Sequence, residues 1–479
     1  MCYGQKIGYT IARNPRNDLQ NLAIWMQNMK PKTPPTNQFD LFRSHFKQIL
    51  NLDHELCRLA DTIDWPGLDA HFADCYSEDM GRPGNAIRLM VGLHYLKHAF
   101  DESDESVISR WVENPYWQYF CGFEYMQHDC PIHPTSMVKW RQRVGADNLE
   151  KLLAETVRLA LKHKQVTDQQ LGKITVDTTV QEKAIAFPTD ARLYTKMLLR
   201  LVNLCKRRGI RLRQTYIRKA PQILKQQGRY AHARQFKRSR RCTKTLHTLL
   251  GRVVRDITRK AKIIDPELQT FLDRAEKLLA QQRQSKNKLY SIDAPEVECI
   301  SKGKAHKPYE FGSKVSVATT NQCNWIVGVQ ALHGNPYDGH TLPAAIEQVE
   351  RVTGKSVKEV FVDKGYRGHG YTGDAHIHIT GQRGRSKAGP ALRKRKKRRS
   401  AVEPKIGHMK SDNRMSRNFL KGKEGDRINA LLAGIGANIR KLLAAFWPAL
   451  AEYVWIYVSR CHLMLNFRKM RPHNKSVAA

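Results

Sequence analysis

Along the first third of the chain, apolar positions recur at helical spacing. In 84–100, Ile87, Met90, Val91 and Tyr95 fall on one face. Asp101, Glu102, Asp104 and Glu105 then give an acidic start to a helix holding Val107, Ile108, Trp111 and Val112. Asn114-Pro115 stops it, because a residue before proline avoids helical dihedrals. After His133-Pro134, Thr135 caps a short helix carrying Lys139, Arg141 and Arg143, which ends near Gly145. Leu149, Leu152, Leu153, Val157 and Leu161 mark a further amphipathic helix. Residues 39–165 thus read as an all-α domain, behind a loose segment at 1–38 that carries Pro15, Pro31, Pro34 and Pro35.

At Lys173 the period changes from that of a helix to that of a strand: Ile174, Val176 and Thr178 alternate. Further strands are predicted within 312–319, 325–331, 360–362 and 376–380, with helices near 341–352 and 426–446. Residues 170–190 plus 300–450 therefore form a mixed α/β domain. Residues 191–299, helical in pattern, interrupt it between its first and second strands, and 451–479 form a tail.

Charge adds what periodicity cannot. There are 82 Lys and Arg against 44 Asp and Glu, a formal net charge of +38. Such a chain repels itself unless a polyanion offsets it, and nucleic acid is the obvious one, since each neutralised phosphate releases a counterion. The densest run, 393–399, is all Lys and Arg and reads as a solvated or phosphate-gripping loop. The basic helix with Lys139, Arg141 and Arg143 reads either as a solvated basic face or as the last helix of a helix-turn-helix element, set to enter a major groove. Ten scattered cysteines without a CxxC pair point to a reducing compartment. One cluster, Cys121, His128, Cys130 and His133, has irregular spacing for zinc and is broken by prolines. No apolar leader or run of about 18 apolar residues is evident, so a cytoplasmic protein is expected.

Two strands lead into aspartate: Ile174-Thr175-Val176-Asp177 and Val360-Phe361-Val362-Asp363, the second followed by Gly365. Carboxylates at neighbouring strand ends suit hard cations such as Mg²⁺. Two such ions serve in-line phosphoryl displacement. Taken singly, each Asp reads equally as a cap on a following turn. Asp338, in a Gly-flanked turn before His340, reads as a turn residue or as a partner behind the site. His376 and His378 read as one polar strand face or as a metal pair.

Residues 362–368, Val-Asp-Lys-Gly-Tyr-Arg-Gly, and 334–342, Gly-Asn-Pro-Tyr-Asp-Gly-His-Thr-Leu, resemble segments of the DDE transposases of bacterial insertion sequences, most closely the insertion-sequence-five family. The stretch 70–145 resembles the helical domain that precedes their catalytic core. Arg399, Glu403 and Lys410 match the Arg-x3-Glu-x6-Lys part of the family's signature, whereas Lys396 stands where it has Tyr. The resemblance implies a ribonuclease H-like catalytic domain. It implies Asp177, Asp363 and Glu403 as catalytic residues holding two Mg²⁺ (or Mn²⁺) ions, and Arg399 and Lys410 as contacts to DNA phosphates. It implies cleavage of transposon ends, joining of the 3′-hydroxyl to target DNA, and action as a homodimer or larger assembly. The alternative is a transposase-derived DNA-binding protein that has lost activity.

Overall fold

A computed structural model describes residues 44–77, 83–261, 265–301, 307–381 and 389–446. The segment 1–38 and the tail 451–479 lie outside them. The chain divides into two compact units, 1–167 with 435–479, and 168–434.

The first unit is helical. Its described helices are α1 (Glu55–Thr62), α2 (Trp65–Ala73), α3 (Ile87–Ala99), α4 (Asp104–Glu113), α5 (Pro115–Phe120) and α6 (Pro134–Lys162). The periodicity predicts one buried face on α3, but every residue except Arg88 is buried, so this is the unit's central helix. Ser103 starts α4 through a capping box with Ser106. Asn114 ends α4 and, through its side chain, caps α5. α6 begins two residues earlier than expected: His133, not Thr135, is the cap, its Nδ1 accepting from the Thr135 N–H at 3.3 Å. Gly145, at φ +71° and ψ 172°, breaks the helix where the sequence predicts an end, and the two pieces run on to Lys162.

The basic part of α6 does not form a DNA-facing row. Arg141 is buried, its guanidinium bonded to both oxygens of Asp104 at 2.9 and 2.6 Å. Arg143 lies over the Tyr76 ring at 5.0 Å. Only Lys139 of the three predicted contacts is exposed. The charge of Arg141 is thus engaged inside the unit by Asp104.

His94 joins this network. Its Nδ1 lies 2.7 Å from the Met90 carbonyl and its Nε2 lies 3.2 Å from Arg141, which fits a neutral ring donating from Nδ1 and accepting at Nε2. Burial, reinforced by Arg141, pushes its pKa down to about 3. The unfolded chain protonates this ring below its ordinary value of about 6.5, while the folded chain does not until far lower pH. Stability is thus fully present above pH 6.5 and is lost as pH falls towards 3. Between pH 7.5 and 5 the loss attributable to His94 is expected to be on the order of 1–2 kcal/mol. Urea unfolding of wild type and His94→Gln at both pH values checks this; equal pH dependence in the two proteins would refute it.

Among its described residues the second unit carries six strands: β1 (Lys173–Glu182), β2 (Glu298–Ser301), β3 (Tyr309–Thr320), β4 (Ile326–Leu332), β5 (Glu359–Val362) and β6 (His376–Ile379). β3 pairs antiparallel with β1 on one edge, and with β4 and β2 in succession on the other. β5 pairs parallel with β1, and β6 parallel with β5. The sheet order β4-β3-β1-β5-β6 places β1 at the centre, with Ile174, Val176 and Val180 fully buried. At Gly312 the β1 backbone comes so close that a Cβ would meet the Gln181 carbonyl oxygen at 1.9 Å, so only glycine fits there.

Between β1 and β2 the helices α7 (Asp190–Arg207), α8 (Lys219–His232), α9 (Phe236–Lys260) and α10 (Pro266–Ala280) build an apolar core of their own, from residues such as Leu198, Leu201, Leu250 and Leu272. α11 (Leu342–Thr353) packs on β4 and precedes β5. After β6 come α12 (Pro390–Arg398), α13 (Val402–Asp412) and α14 (Gly422–Phe446). α14 crosses the division between the units at 434/435, so the last residues expected in the α/β domain fall in the helical unit. Among the described residues no helix is long and apolar enough to cross a membrane.

Candidate active site

β1 explains how the site is placed. The strand does not stop at Asp177, as its sequence suggests, but continues to Glu182 against β3. It is β5 that stops. In the parallel register Thr175 stands opposite Phe361, and two residues further on Asp177 and Asp363 occupy matching positions just beyond the last β5 residue, Val362. β5 no longer pairs with β1 there, and both carboxylates lie 3.9 Å from Arg399.

Asp363 does cap a turn, its Oδ1 accepting from the Gly365 N–H at 2.9 Å. Its Oδ2 remains directed at Arg399, 3.9 Å away. Asp177 is arranged alike: Oδ1 accepts from the Thr178 N–H at 2.8 Å, and Oδ2 lies 3.9 Å from Arg399. Glu403, in the first turn of α13, bonds Arg399 directly at 2.7 Å. One guanidinium, 12% exposed, thus gathers all three predicted acids.

Burial pushes the Asp177 carboxyl up to about 6; Arg399 pulls it down, while Asp363 and Glu403 push it up further. With all three acids ionised, a single positive group faces three negative ones, and the remaining charge favours a further cation. Among the described residues no three His, Cys, Asp or Glu side chains are close enough to hold a metal together. The fit of the site to Mg²⁺ or Mn²⁺ rests on its donors: carboxylate oxygens only, already arranged around a positive centre.

Asp338 belongs to this neighbourhood as a supporting group. Its Oδ1 accepts from Thr178 Oγ1 at 3.0 Å and pairs with Lys314 Nζ at 3.0 Å. Tyr366 is fully buried, and burial together with Asp177, Asp338 and Asp363 drives its hydroxyl pKa far upward. The phenol stays neutral beside the acids.

The basic run 393–399 is a helix and a turn rather than a loop, and part of it is spent on anchorage. Arg395 bonds both oxygens of Glu359 at 2.7 and 2.8 Å. Arg398 donates to the carbonyls of Asn321 and Gln322. Asn321 reaches Thr175 Oγ1 at 3.0 Å and the Arg395 carbonyl at 3.2 Å, and Asn324 reaches the Ala401 carbonyl at 3.2 Å. These two asparagines, which carry no motif, fix the third acid's helix to the β3–β4 turn. Lys410 sits on α13, half-buried, two turns beyond Glu403. Trp325 is a core residue. His378 stacks on Phe361 with its Nε2 3.4 Å from Glu359, which suits the polar-face reading rather than a metal pair.

Comparison with known proteins gives the following. Residues 44–143 match the family described as Transposase domain (DUF772), and residues 348–443 match Transposase DDE domain. The second match spans Asp363, Arg399, Glu403 and Lys410. A protein of Rhizobium meliloti, "Uncharacterized protein ORF8 in nfe locus", is 51% identical over 208 residues, which is 43% of this chain and the whole of that one. No solved structure matches.

Proposed function

The chain belongs to the insertion-sequence DDE transposases, and from that premise we propose that it cleaves transposon ends and joins the freed 3′-hydroxyl to target DNA at the site formed by Asp177, Asp363 and Glu403. The convergence of these three acids on Arg399 is the observation that carries the reading. Within the transposases, we assign it to the insertion-sequence-five family on the residue patterns at 334–342 and 362–368.

The catalytic domain is read as ribonuclease H-like. The order β4-β3-β1-β5-β6, three antiparallel strands followed by two parallel ones, supports that assignment. Asp177, Asp363 and Glu403 would hold two Mg²⁺ or Mn²⁺ ions. Such ions, when bound, stabilise the attacking and leaving oxygens of an in-line displacement, so that one site serves both hydrolysis and strand transfer.

The chain's own residues supply the setting. The backbone N–H groups of Thr178, in β1, and of Gly365, in the turn after β5, each hold one carboxylate oxygen of Asp177 and Asp363, leaving the other oxygen of each towards Arg399. Arg399, confined among the acids, and Lys410, on the helix of Glu403, are placed to bind phosphate oxygens near the scissile bond. Two DNA ends must be handled together, which calls for a dimer or larger assembly.

A labelled duplex carrying the sequence that flanks the gene tests this. Cutting and joining are expected with Mg²⁺ or Mn²⁺ and none with EDTA. Tight binding without chemistry in either metal would instead favour an inactive, transposase-derived DNA-binding protein.

A further inference from the structure

The helical insertion has a charge pattern that the acid cluster does not use. Residues 191–260 contain 22 Lys and Arg and a single acid, Asp256. The inner faces of α7 and α9 are apolar and packed, so these cations occupy the outside of a finished core. Packing therefore does not account for them, and a surface this positive costs the fold self-repulsion.

The lone acid is already engaged. Asp256 accepts the backbone N–H of Arg213 at 2.6 Å, pairs with Arg259 at 2.6 Å, and lies 3.3 Å from Lys260. It pins the chain before α8 against α9 and thereby forms a cleft. Arg213, Tyr216, Arg252, Arg255 and Arg259 line that cleft with Asp256. Arg252, Arg255 and Arg259 follow one another at three- and four-residue steps on α9, so they share a face, and each is exposed. Among the described residues no carboxylate pairs with Arg252 or Arg255. The result is a row of guanidinium groups in which Asp256 engages Arg259 while Arg252 and Arg255 face solvent without a carboxylate.

We propose that this cleft and the α9 arginine row form a second DNA interface, one that grips the duplex backbone irrespective of sequence. Guanidinium groups suit phosphate oxygens through paired, planar hydrogen bonds. The lining is dominated by arginines, whose contacts to phosphate oxygens position a duplex without selecting its sequence; Gln214 is the one amide beside them. A sequence-blind grip of this kind fits a target duplex better than a defined transposon end. The inference rests on charge and geometry in the insertion and does not require the cutting reaction.

The test uses the full chain in EDTA, with a duplex of scrambled sequence, so that binding is read without chemistry. Wild type and Arg252→Gln/Arg255→Gln are compared for the dependence of log affinity on log salt. The double variant is expected to bind every duplex sequence more weakly, with a salt slope shallower by about 2, one unit for each lost phosphate contact. Arg252→Glu/Arg255→Glu should weaken binding further. Unchanged unfolding midpoints in the absence of DNA exclude a loss through misfolding, since both side chains are exposed. A salt slope identical to that of wild type would overturn the proposal. So would a loss seen with polyglutamate but not with duplex, which would make the face a protein-docking surface. Cleavage that fails in Mg²⁺ while this slope change is observed would reject the transposition reading alone.

Discussion

Asp177→Asn is expected to lower DNA cleavage by about 10³-fold or more while leaving duplex binding unchanged. The amide keeps the carboxylate's shape, and its oxygen can still accept the Thr178 N–H that now bonds Oδ1 at 2.8 Å. What it loses is the charge directed at Arg399 and at any cation beside it. Removal of one preorganised electrostatic group from a site where charge develops costs about 10²–10³-fold in other enzymes, and loss of an ion raises the cost. Glu403→Gln should behave alike, since its carboxylate bonds the same guanidinium. Asp338→Asn should cost less, about 10–100-fold, because Asp338 acts through Thr178 and Lys314 rather than facing the gap. Single-turnover cleavage beside equilibrium binding separates these cases. If Asp177→Asn cuts at the wild-type rate, the acid cluster is not the catalytic site. If Asp338→Asn is as impaired as Asp177→Asn, the supporting acid belongs with the ligands.

Much of this arrangement was legible in the sequence, for identifiable reasons. Strands such as β3, β4 and β5 carry Val and Ile on a buried sheet, and the change of period at Lys173 marks the first of them. β2 escaped because its four residues include only one that is fully buried. Asp177 was identifiable, yet its position in mid-strand was not: the alternation read from the sequence reaches Thr178, and pairing with β3 carries the strand on to Glu182. The gap at Asp177 arises because β5 is short, and the length of one strand is not written in the sequence of its neighbour. The basic run 393–399 shows the same limit. Its composition reports seven cations but not that Glu359 and the carbonyls of the β3–β4 turn claim two of them. Arg399, expected at DNA phosphates through the family signature, is in addition the group on which the acids converge, which its place in the basic run does not reveal.

Breaking the Asp104–Arg141 pair should unfold the helical unit rather than merely weaken DNA binding. Arg141 is 3% exposed and Asp104 14%, so neither charge can be resolvated without the packing opening. Asp104 also holds Lys97 at 2.7 Å, which is itself nearly buried. Burial alone would raise the Asp104 pKa, but the hydrogen bonds and fields of Arg141 and Lys97 outweigh it and hold the carboxyl well below its usual range. Asp104→Ala therefore removes the carboxylate that Arg141 and Lys97 share in the interior, beside the neutral His94. Removing one member of a buried pair costs about 3–5 kcal/mol, a large part of the stability of an ordinary domain. Arg141→Ala leaves the Asp104 carboxylate partnered by Lys97 and should cost somewhat less. Arg141→Met, which fills the space without a charge, separates lost packing from lost pairing. Chemical unfolding of these variants, followed beside DNA binding at a temperature where each remains folded, decides between the two roles of Arg141. Wild-type stability with selectively weakened DNA binding in Arg141→Ala would restore it to the DNA interface. Destabilisation that tracks the number of stranded charges, largest for Asp104→Ala, would establish that the most conspicuous cation of the basic helix serves the interior of the unit that carries it.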